Sequence, residues 1–410
     1  MYLAVGKKKK IYLIASVLFN LGLLAYFKYA NFFVENVNAL VATWGAHGIK
    51  MTNIVLPIGI SFFTFKKLSY TIDVYRNSHK PFNRITDYAL FILLFPELIA
   101  GPIVRFNEIA DQIIDRKKEE TVDNRLLGLF RFIIGLSKKV LIANVLGAEA
   151  DKIFDVDPNT LNTPVAWIGI IAYTFQIYFD FSGYSDMAIG IAKMIGFTFP
   201  ENFDNPYTAK SITEFWRRWH ITLGRWMRDY LYIPLGGNKV KSKNRLFFNL
   251  WIVFILSGLW HGASWNFIIW GAFHGFFLII DRVFILDFYA KNKWIPSIPI
   301  TFLIVVIGWV FFRANDLSSA ITFLQKMFSF DFSSTNFYFL NDFYTVLVLA
   351  ILFSFGGIFR FFITIQKQVL YSNYTNFRTI TTGFVCLILF AISISSIMGS
   401  GFNPFIYYRF

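Results

Sequence analysis

The sequence predicts an all-α polytopic membrane protein. Of its 410 residues, 56% are hydrophobic and 20% are aromatic, while only 16% carry a charge. Several uncharged runs reach the length that an α-helix needs to cross a bilayer. The formal net charge is +14, and the basic residues cluster at the ends of the apolar runs. That placement fits anionic lipid headgroups and cytoplasmic loops, so we expect contact with the lipid bilayer and none with nucleic acid.

An apolar run over residues 11–27 follows four lysines at residues 7–10. No small-residue cleavage site follows the run, which argues against a cleaved signal peptide. The sequence therefore predicts a first membrane helix that starts in the cytoplasm. Lys28 and Tyr29, directly after the run, are typical of an anchor at the membrane interface.

The next segments are apolar but irregular. Residues 51–65 contain a proline and a glycine, so we expect a kinked or partial span. Residues 84–104 contain two more prolines together with Glu97, which predicts a re-entrant or buried segment and not a lipid-facing helix. The highly charged residues 105–125 are expected in a loop or surface helix exposed to solvent.

The remaining apolar segments complete a bundle of about ten membrane segments, some re-entrant or interfacial. Residues 126–147 carry three basic side chains, so their helix should face protein or lie near an interface. Proline and glycine near residue 404 predict that the last helix ends before residues 402–410. Uncharged runs of membrane length lie at residues 158–179, 295–312, 343–359 and 379–408.

Two carboxylates, Asp180 and Asp186, lie in otherwise apolar surroundings. They could orient a histidine, or they could form structural ion pairs, and we favour the ion pairs because buried charge is costly without a partner. The candidate partners are Arg217, Arg218 and Arg225.

Residues 207–245 are the main polar interruption of the chain and follow a helical period. Charged side chains lie on a different face from the apolar ones, so we predict that residues 207–235 form one amphipathic helix that lies at the interface or enters a protein-lined cavity and does not span the membrane. The apolar face is formed by Phe215, Trp219, Leu223, Trp226 and Tyr230. The basic residues after it, which we expect in a cytoplasmic loop, are Lys239, Lys241, Lys243 and Arg245.

The uncharged run over residues 246–280 is too long for one straight span. It would extend about 52 Å at roughly 1.5 Å per residue, whereas the hydrocarbon core is about 30 Å thick. We therefore expect a break at the small residues around Ser257, Gly258 and Gly262. His261 lies at this break, and a titratable side chain there is costly unless it is functional or well paired.

The chain has five histidines, of which His220 and His261 each follow a tryptophan. Neutral imidazole can accept the proton of an attacking hydroxyl near neutral pH, which suits acyl transfer to an alcohol. The alternative is that each is a hydrogen-bonded core histidine. His274 would point away from His261 if one helix joined them, so we expect a structural role for it. His47 and His79 lie in polar loops and receive no role.

The sequence gives little support for other kinds of catalytic site. The sequence has no GxSxG elbow, no Walker sequence and no HExxH motif. The one cysteine, Cys386, lies inside an apolar run, which excludes an intrachain disulfide and argues against a cysteine-based metal site. Any chemistry should therefore use histidine and its neighbours, and we expect no metal.

Four ordered motifs carry a family resemblance. They are YFDFSGYSDMAIG at residues 178–190, FWRRWHITLGRWMRDYLYIPLGGN at 215–238, SGLWHGASWNFIIWGAFHG at 257–275 and NPFIYYRF at 403–410. With these motifs the chain resembles the membrane-bound O-acyltransferase (MBOAT) family, and within it the bacterial branch that includes alginate O-acetyltransferase subunit I. The similarity extends from about residue 13 to the C-terminus.

The resemblance implies an acyltransferase with a bowl- or funnel-shaped helical bundle. It places the catalytic histidine at His261 and a second family histidine at His220. It also implies an acyl thioester donor such as acetyl-CoA with no bound cofactor, a location in the bacterial cytoplasmic (inner) membrane, and an extracytoplasmic acceptor that is a partner protein or a polysaccharide. Residues 1–410 would form one membrane domain, ahead of which the N-terminal segments usual in the family are expected to be missing.

Two other functions compete with O-acetylation of a polysaccharide. Within the family, the alternative is D-alanyl transfer to teichoic acid. Outside it, the alternative is a lipid or polysaccharide transporter, although the charged residues gather near one predicted interfacial helix and do not line several spans. The residues LGGN and ASWN favour the acetylating branch.

Overall fold

The computed structural model describes residues 6–50, 53–334, 337–370, 375–399 and 404–405. Within these ranges the chain forms α-helices joined by loops and short 3₁₀ or π-helical turns, and no β-strand is present. The predicted all-α class is therefore confirmed. The α-helices are α1 Lys7–Ala42, α2 Ile60–Arg76, α3 Ile85–Leu93, α4 Phe106–Ile114, α5 Val122–Ser137, α6 Asn144–Phe154, α7 Thr163–Met194, α8 Ile212–Arg218, α9 Ile221–Met227, α10 Lys243–His261, α11 Trp265–Ile280, α12 Leu286–Lys291, α13 Ser297–Arg313, α14 Leu317–Met327, α15 Phe343–Phe355, α16 Arg360–Leu370 and α17 Asn376–Gly399.

Four of the described helical segments are long and apolar enough to cross a membrane. They are Lys7–Ala42, Thr163–Met194, Trp265–Lys291 and Phe377–Gly399. A fifth candidate is the pair formed by α15 and α16, which is bent by 95°. The protein is thus multi-pass, but the predicted number of about ten segments is not confirmed, because other apolar helices, such as α13, are shorter than a full span.

Helix α7 forms the centre of the bundle. In its most apolar stretch of 18 residues, 83% of the residues are buried by other parts of the protein. Helices α5 and α6, joined by a π-helical turn at Lys138–Ala143, pack along it. The contact is close because Gly135 and Gly183 face each other: a Cβ atom on Gly135 would lie 2.5 Å from the Gly183 carbonyl oxygen. Small residues of this kind let helix backbones approach without a side chain between them.

Charged side chains within this packing form ion pairs, as the buried position of α5 requires. Asp186 accepts hydrogen bonds from Arg131 at 2.9 Å and from Lys138 at 2.6 Å, and Lys139 pairs with Asp180. The ion-pair interpretation of the two carboxylates is thus confirmed, and so is the protein-facing orientation of residues 126–147.

The partners that the sequence suggested for these carboxylates are wrong. Arg218 pairs with Glu214 at 2.6 Å, and Arg225 lies 3.7 Å from Glu108. The observed partners lie on the neighbouring helix α5 and on the turn that continues it. The sequence prediction had instead chosen arginines among residues 217–225, which follow the carboxylates in the chain.

Residues 84–104 form the buried segment that their composition predicted. Helix α3 is followed by a 3₁₀ turn and an extended stretch, and Glu97 is only 1% exposed. Its carboxylate accepts a hydrogen bond from Lys66 of α2 at 2.7 Å and another from the Val104 N–H at 3.0 Å. A buried carboxylate is tolerated there because a cation and a backbone donor satisfy it.

The structure modifies two other N-terminal expectations. Residues 53–59 are not helical, and α2 begins after Gly59, whose φ of 76° is left-handed. This agrees with a partial span, although residues 51 and 52 lie outside the described ranges. Within residues 105–125, α4 is the expected surface helix, but it is not exposed on all sides, because Phe106 and Ile109 are fully buried against α2 and α3.

Candidate active site

The uncharged run over residues 246–280 breaks as predicted and forms a helical hairpin. Helix α10 ends at His261, and α11 begins at Trp265 after a short extended connection. The two helices are antiparallel, since Gly258 lies against Phe267 and Gly271 lies against Phe254. Gly262 makes the turn, whereas Gly258 is a packing position inside α10.

The imidazole of His261 is enclosed by aromatic rings. Its ring centroid lies 4.9 Å from Trp260, 5.3 Å from Trp270 and 5.2 Å from Phe312. The residue is 8% exposed, and its Nδ1 atom is buried with no hydrogen-bond partner among the described residues. The ring is therefore held by packing, and at least one of its nitrogens is not engaged by a protein hydrogen bond.

Two side chains of α1 fix the end of α10 that carries His261. The last carbonyl groups of a helix have no intrahelical partner. Lys28 donates to the carbonyl oxygen of Trp260 and, at 3.2 Å, to that of His261, and the Tyr29 hydroxyl donates to the Leu259 carbonyl oxygen at 2.8 Å. A cation also complements the negative end of the helix dipole. The predicted interface anchor thus serves as a cap inside the bundle.

Residues 207–235 do not form the single amphipathic helix that the periodicity predicted. Helix α8 ends at Arg218, α9 begins at Ile221, and His220 between them adopts a left-handed conformation with φ of 44°. This backbone conformation costs about 1–2 kcal/mol for a residue with a Cβ atom. A non-glycine residue held in this region points to a structural or functional constraint.

The break divides the predicted apolar face between two cores. Phe215 and Trp219 pack in the core around α7, whereas Leu223, Trp226 and Tyr230 pack in a second core with α2 and α10. Neither short helix is among the candidate spans. The apolar side chains of this segment are thus buried within the protein, and its position relative to the membrane interface stays a prediction.

His220 is 2% exposed and contacts the ring of Phe181 at 4.7 Å. Its Nδ1 atom lies 3.0 Å from the Oδ1 atom of Asn202, while its Nε2 atom is buried with no hydrogen-bond partner among the described residues. Burial lowers the pKa of His220 to about 3, so the ring is neutral near pH 7. A neutral ring bonded at Nδ1 keeps Nε2 available for one further hydrogen bond.

Trp260 brings the two candidate histidines together. Its ring centroid lies 6.3 Å from that of His220 and 4.9 Å from that of His261. His261 belongs to α10 and His220 to the α8–α9 break, so two distant segments of the chain bring their imidazoles to the same indole. Each of these two buried imidazoles has a nitrogen with no hydrogen-bond partner among the described residues, and His274 is a third buried imidazole, with neither nitrogen bonded to a described residue.

His274 lies closer to this centre than the sequence indicated. Its ring centroid is 4.9 Å from Trp216 and 5.1 Å from Trp270, and Trp270 also contacts His261. The expectation that His274 points away assumed one helix from 261 to 274, and the hairpin removes that assumption. The residue is fully buried among aromatic rings, and neither of its ring nitrogens has a hydrogen-bond partner among the described residues, so its structural role stays a prediction.

The other candidate groups lie apart from this pair. His47 is exposed, and His79 contacts the ring of Phe106 at 5.8 Å. A small polar cavity of about 20 Å³ is lined by Asn202 and by charged side chains that include Arg131, Asp186 and Glu201. Among the described residues, no three metal-ligating side chains are grouped closely enough to hold an ion.

The segment that contains both histidines matches a family model described as the membrane-bound O-acyltransferase family. The match covers residues 82–313, which is more than half of the chain. The chain belongs to the MBOAT family. It is therefore an O-acyltransferase of the membrane, and the matched segment includes both His220 and His261, whose rings the fold brings to Trp260.

Several curated MBOAT proteins are similar to this chain over most of its length. "Probable alginate O-acetylase AlgI" of Azotobacter vinelandii is 41% identical, over 97% of this chain and 85% of that protein. "Peptidoglycan O-acetyltransferase" of Helicobacter pylori is 41% identical, over 78% of this chain and 65% of that protein. "Teichoic acid D-alanyltransferase" of Bacillus subtilis is 30% identical, over 64% of this chain and 70% of that protein.

Sequence reasoning did not indicate the contacts that Asn202 and Lys28 make in this candidate site. Asn202 lies in a loop between α7 and α8, and Lys28 lies near the middle of α1. Neither position carries a periodic or motif signal of its own. Lys28 gave a partial signal, because a lysine within a helix that continues beyond it needs a partner.

Proposed function

We propose that this protein transfers an acyl group, most simply acetyl, from a cytoplasmic thioester such as acetyl-CoA to a hydroxyl of an extracytoplasmic polysaccharide, directly or through a partner protein. Residues 1–410 would act as one membrane domain. The observation that carries the proposal is the pair His220 and His261 around Trp260, each with a buried ring nitrogen free of described partners. The similarity to O-acetylating relatives supports acetyl as the group transferred.

His261 is the proposed general base. Its imidazole removes the proton of the acceptor hydroxyl as that oxygen forms a bond to the thioester carbonyl carbon. The carbon–sulfur bond then breaks, and the proton passes to the leaving thiolate. General-base catalysis of this kind contributes about 10²- to 10⁴-fold in rate. His220 is the proposed auxiliary, whose Nε2 atom accepts a hydrogen bond from the bound acceptor and orients it.

The distribution of basic residues supports a direction of transfer. Lys9 bonds to Asn77, and Arg76 bonds to the Asp229 carbonyl oxygen, so the N-terminal lysines and the segment that precedes the basic residues 239–245 lie at one end of the bundle. The positive-inside rule assigns that end to the cytoplasm. His261 lies about 27 Å from Lys243 along α10, at the other end of this helix. We therefore propose that the base lies away from the cytoplasmic end of the bundle.

The basic loop offers an electrostatic route for the donor. Lys239 and Lys241 lie in the loop and Lys243 and Arg245 in the first turn of α10, and all four side chains are exposed. Such a cluster raises the local concentration of an anionic thioester such as a coenzyme A ester. A cluster of this kind could also serve only to orient the protein in the membrane, as the positive-inside rule describes. The salt dependence of donor affinity distinguishes attraction of the donor from this purely topological role.

D-alanyl transfer to teichoic acid is the second candidate. A named D-alanyltransferase is 30% identical to this chain, whereas alginate O-acetylases reach 41% to 50%. The difference in identity favours an acetyl donor over a carrier-bound D-alanyl donor. Both reactions would use the same pair of histidines.

Purified protein in lipid nanodiscs tests the proposal. The protein is supplied with acetyl-CoA and an alginate-type oligosaccharide, and loss of thioester is measured together with gain of carbohydrate ester. His261→Ala should abolish transfer while the protein remains folded, and His274→Ala, the matched buried histidine, should mainly lower the unfolding temperature. Near-normal transfer by folded His261→Ala protein would refute the role of His261 as the general base.

A further inference from the structure

We propose that Asn202 is a positioning residue that fixes the tautomer of His220, an inference that rests on the proposed role of His220 as the auxiliary histidine. Asn202 is 1% exposed and lies in the loop that follows α7. Its Oδ1 atom lies 3.0 Å from Nδ1 of His220. The contact joins two buried side chains, so no bulk water competes with it.

The surroundings decide which amide atom of Asn202 faces the ring. The backbone N–H of Thr222 lies 3.3 Å from Oδ1, and a backbone N–H can only donate. The Thr222 hydroxyl donates to the same oxygen at 2.8 Å. On the other side, the Nδ2 atom of Asn202 donates to the Ser185 hydroxyl at 3.0 Å. A flipped amide would place an N–H group against the Thr222 N–H, which cannot accept, whereas the Ser185 and Thr222 hydroxyls could donate or accept in either orientation; the backbone N–H therefore places the oxygen toward His220.

An oxygen in that position requires a proton on Nδ1 of His220. The neutral ring then carries its lone pair on Nε2, because a neutral imidazole has one donor and one acceptor nitrogen. That Nε2 atom is buried and unpartnered among the described residues. A substrate hydroxyl could donate a hydrogen bond to this buried acceptor nitrogen. Asn202 thus determines which nitrogen of His220 meets the substrate.

The same loop also holds the backbone of His220. The Ile221 N–H donates to the Asn202 carbonyl oxygen at 2.9 Å, and the Asp204 N–H donates to the Arg218 carbonyl oxygen at 2.9 Å. These two bonds flank the left-handed residue at the α8–α9 break. Residues 202–204 therefore constrain both the backbone and the ring of His220, which is the arrangement expected for a side chain whose orientation matters.

Nitrogen-15 NMR of histidine-labelled protein tests the tautomer without any substrate. The chain has only five histidines, and His220→Asn removes one signal and so assigns it. In the unsubstituted protein, His220 should give the shifts of a neutral ring protonated at Nδ1. In Asn202→Leu this population should shift toward the Nε2–H form. Asn249→Leu is the control, because Asn249 is a fully buried asparagine that bonds to the Leu235 carbonyl oxygen and to no histidine.

Kinetics in nanodiscs separate positioning from general stability. Asn202→Leu should lower kcat about 10- to 100-fold, the range expected for a misplaced reacting group, with little change in the KM for acetyl-CoA. In the His220→Asn background the same substitution should have no further effect, because Asn202 acts through that ring. Asn202→Asp keeps an acceptor for Nδ1–H and adds a negative charge, so it should retain the tautomer and raise the pH below which the rate falls.

Three results would overturn the inference. One is a His220 signal from the Nε2–H tautomer or from imidazolium in unsubstituted protein near pH 7. Another is an equal loss of kcat from Asn202→Leu with and without His220. The third is an Asn202→Asp protein with an unshifted pH profile. If the unsubstituted protein transfers no acyl group at all, the proposed function fails, while the NMR measurement still decides the role of Asn202.

Discussion

Gly258→Ala is the substitution whose effect the structure defines most sharply. A Cβ atom at this position would lie 2.1 Å from the carbonyl oxygen of Phe267 and 3.3 Å from the N atom of Gly271. Both atoms belong to the backbone of α11, so no side-chain rotation can relieve the contact. The added methyl group must therefore push α10 and α11 apart or bend one of them.

The distances set the size of the effect. Ordinary contact begins at 3.4 Å, so the methyl group is about 1.3 Å too close to the Phe267 oxygen. Overpacking of this kind costs about 1–3 kcal/mol. His261 lies three residues further along α10, and a displacement of about 1 Å at a reacting group can reduce the rate about 100-fold. We therefore expect Gly258→Ala to lower both the unfolding temperature and kcat.

Gly22→Ala is the matched control. Gly22 lies within α1, and no atom lies within 4 Å of the position that its Cβ would occupy. An alanine there should be neutral or stabilising, since alanine is favoured over glycine in a helix by about 1 kcal/mol. Thermal unfolding in detergent and acetyl transfer in nanodiscs are measured for both variants. If Gly258→Ala matches Gly22→Ala in both measurements, the close-packing argument for the hairpin is refuted.

Four further predictions concern the site and its supports. Lys28→Met removes a charged donor from the end of α10 and should cost about 1.5–3 kcal/mol, with a lower kcat and an unchanged donor KM. Lys66→Met leaves Glu97 buried without its cation and should cost about 3–5 kcal/mol, most of which the added substitution Glu97→Gln should recover. His220→Asn should unfold at a higher temperature than His220→Ala, because asparagine tolerates the left-handed conformation, while both variants transfer acyl groups more slowly. Neutralising the four basic residues of the 239–245 loop should raise the KM for acetyl-CoA at low salt and have little effect at high salt.

Each of these predictions has a result that would contradict it. Equal melting of Lys28→Met and the unsubstituted protein would show that the cap contributes nothing. A double variant at positions 66 and 97 no more stable than Lys66→Met would disprove the buried-charge explanation. Equal stability of the alanine and asparagine variants at position 220 would remove the backbone argument. A KM that does not depend on salt in either protein would leave the basic loop with a topological role alone.

The membrane class and the break in the 246–280 run followed from the sequence alone. Both depend on quantities that are local along the chain: the fraction of apolar residues, the length of an uncharged run and the bilayer thickness that limits it. The same local logic identified His261, because a titratable residue within such a run is costly wherever the rest of the chain lies. The motif at residues 215–238 likewise identified His220.

The prediction from local periodicity failed where one segment supplies side chains to two different cores. The spacing of Phe215, Trp219 and Leu223 fits one helix, but these residues belong to two cores, and the chain breaks at His220 so that each core receives its own. The broken segment buries both sets of rings and forms hydrogen bonds with the loop at residues 202–204. Together these contacts stabilise the structure by more than the left-handed backbone of one residue destabilises it.

Only the tertiary structure decided which groups meet. Asn202 bonds to His220, Lys28 caps α10, and Arg131 and Lys138 hold Asp186, and every one of these pairs is distant in sequence. A helical period specifies the face on which a side chain lies, but not the neighbour that packs against that face. Buried polar atoms need partners wherever the chain can supply them, and that choice depends on how all the helices pack around α7.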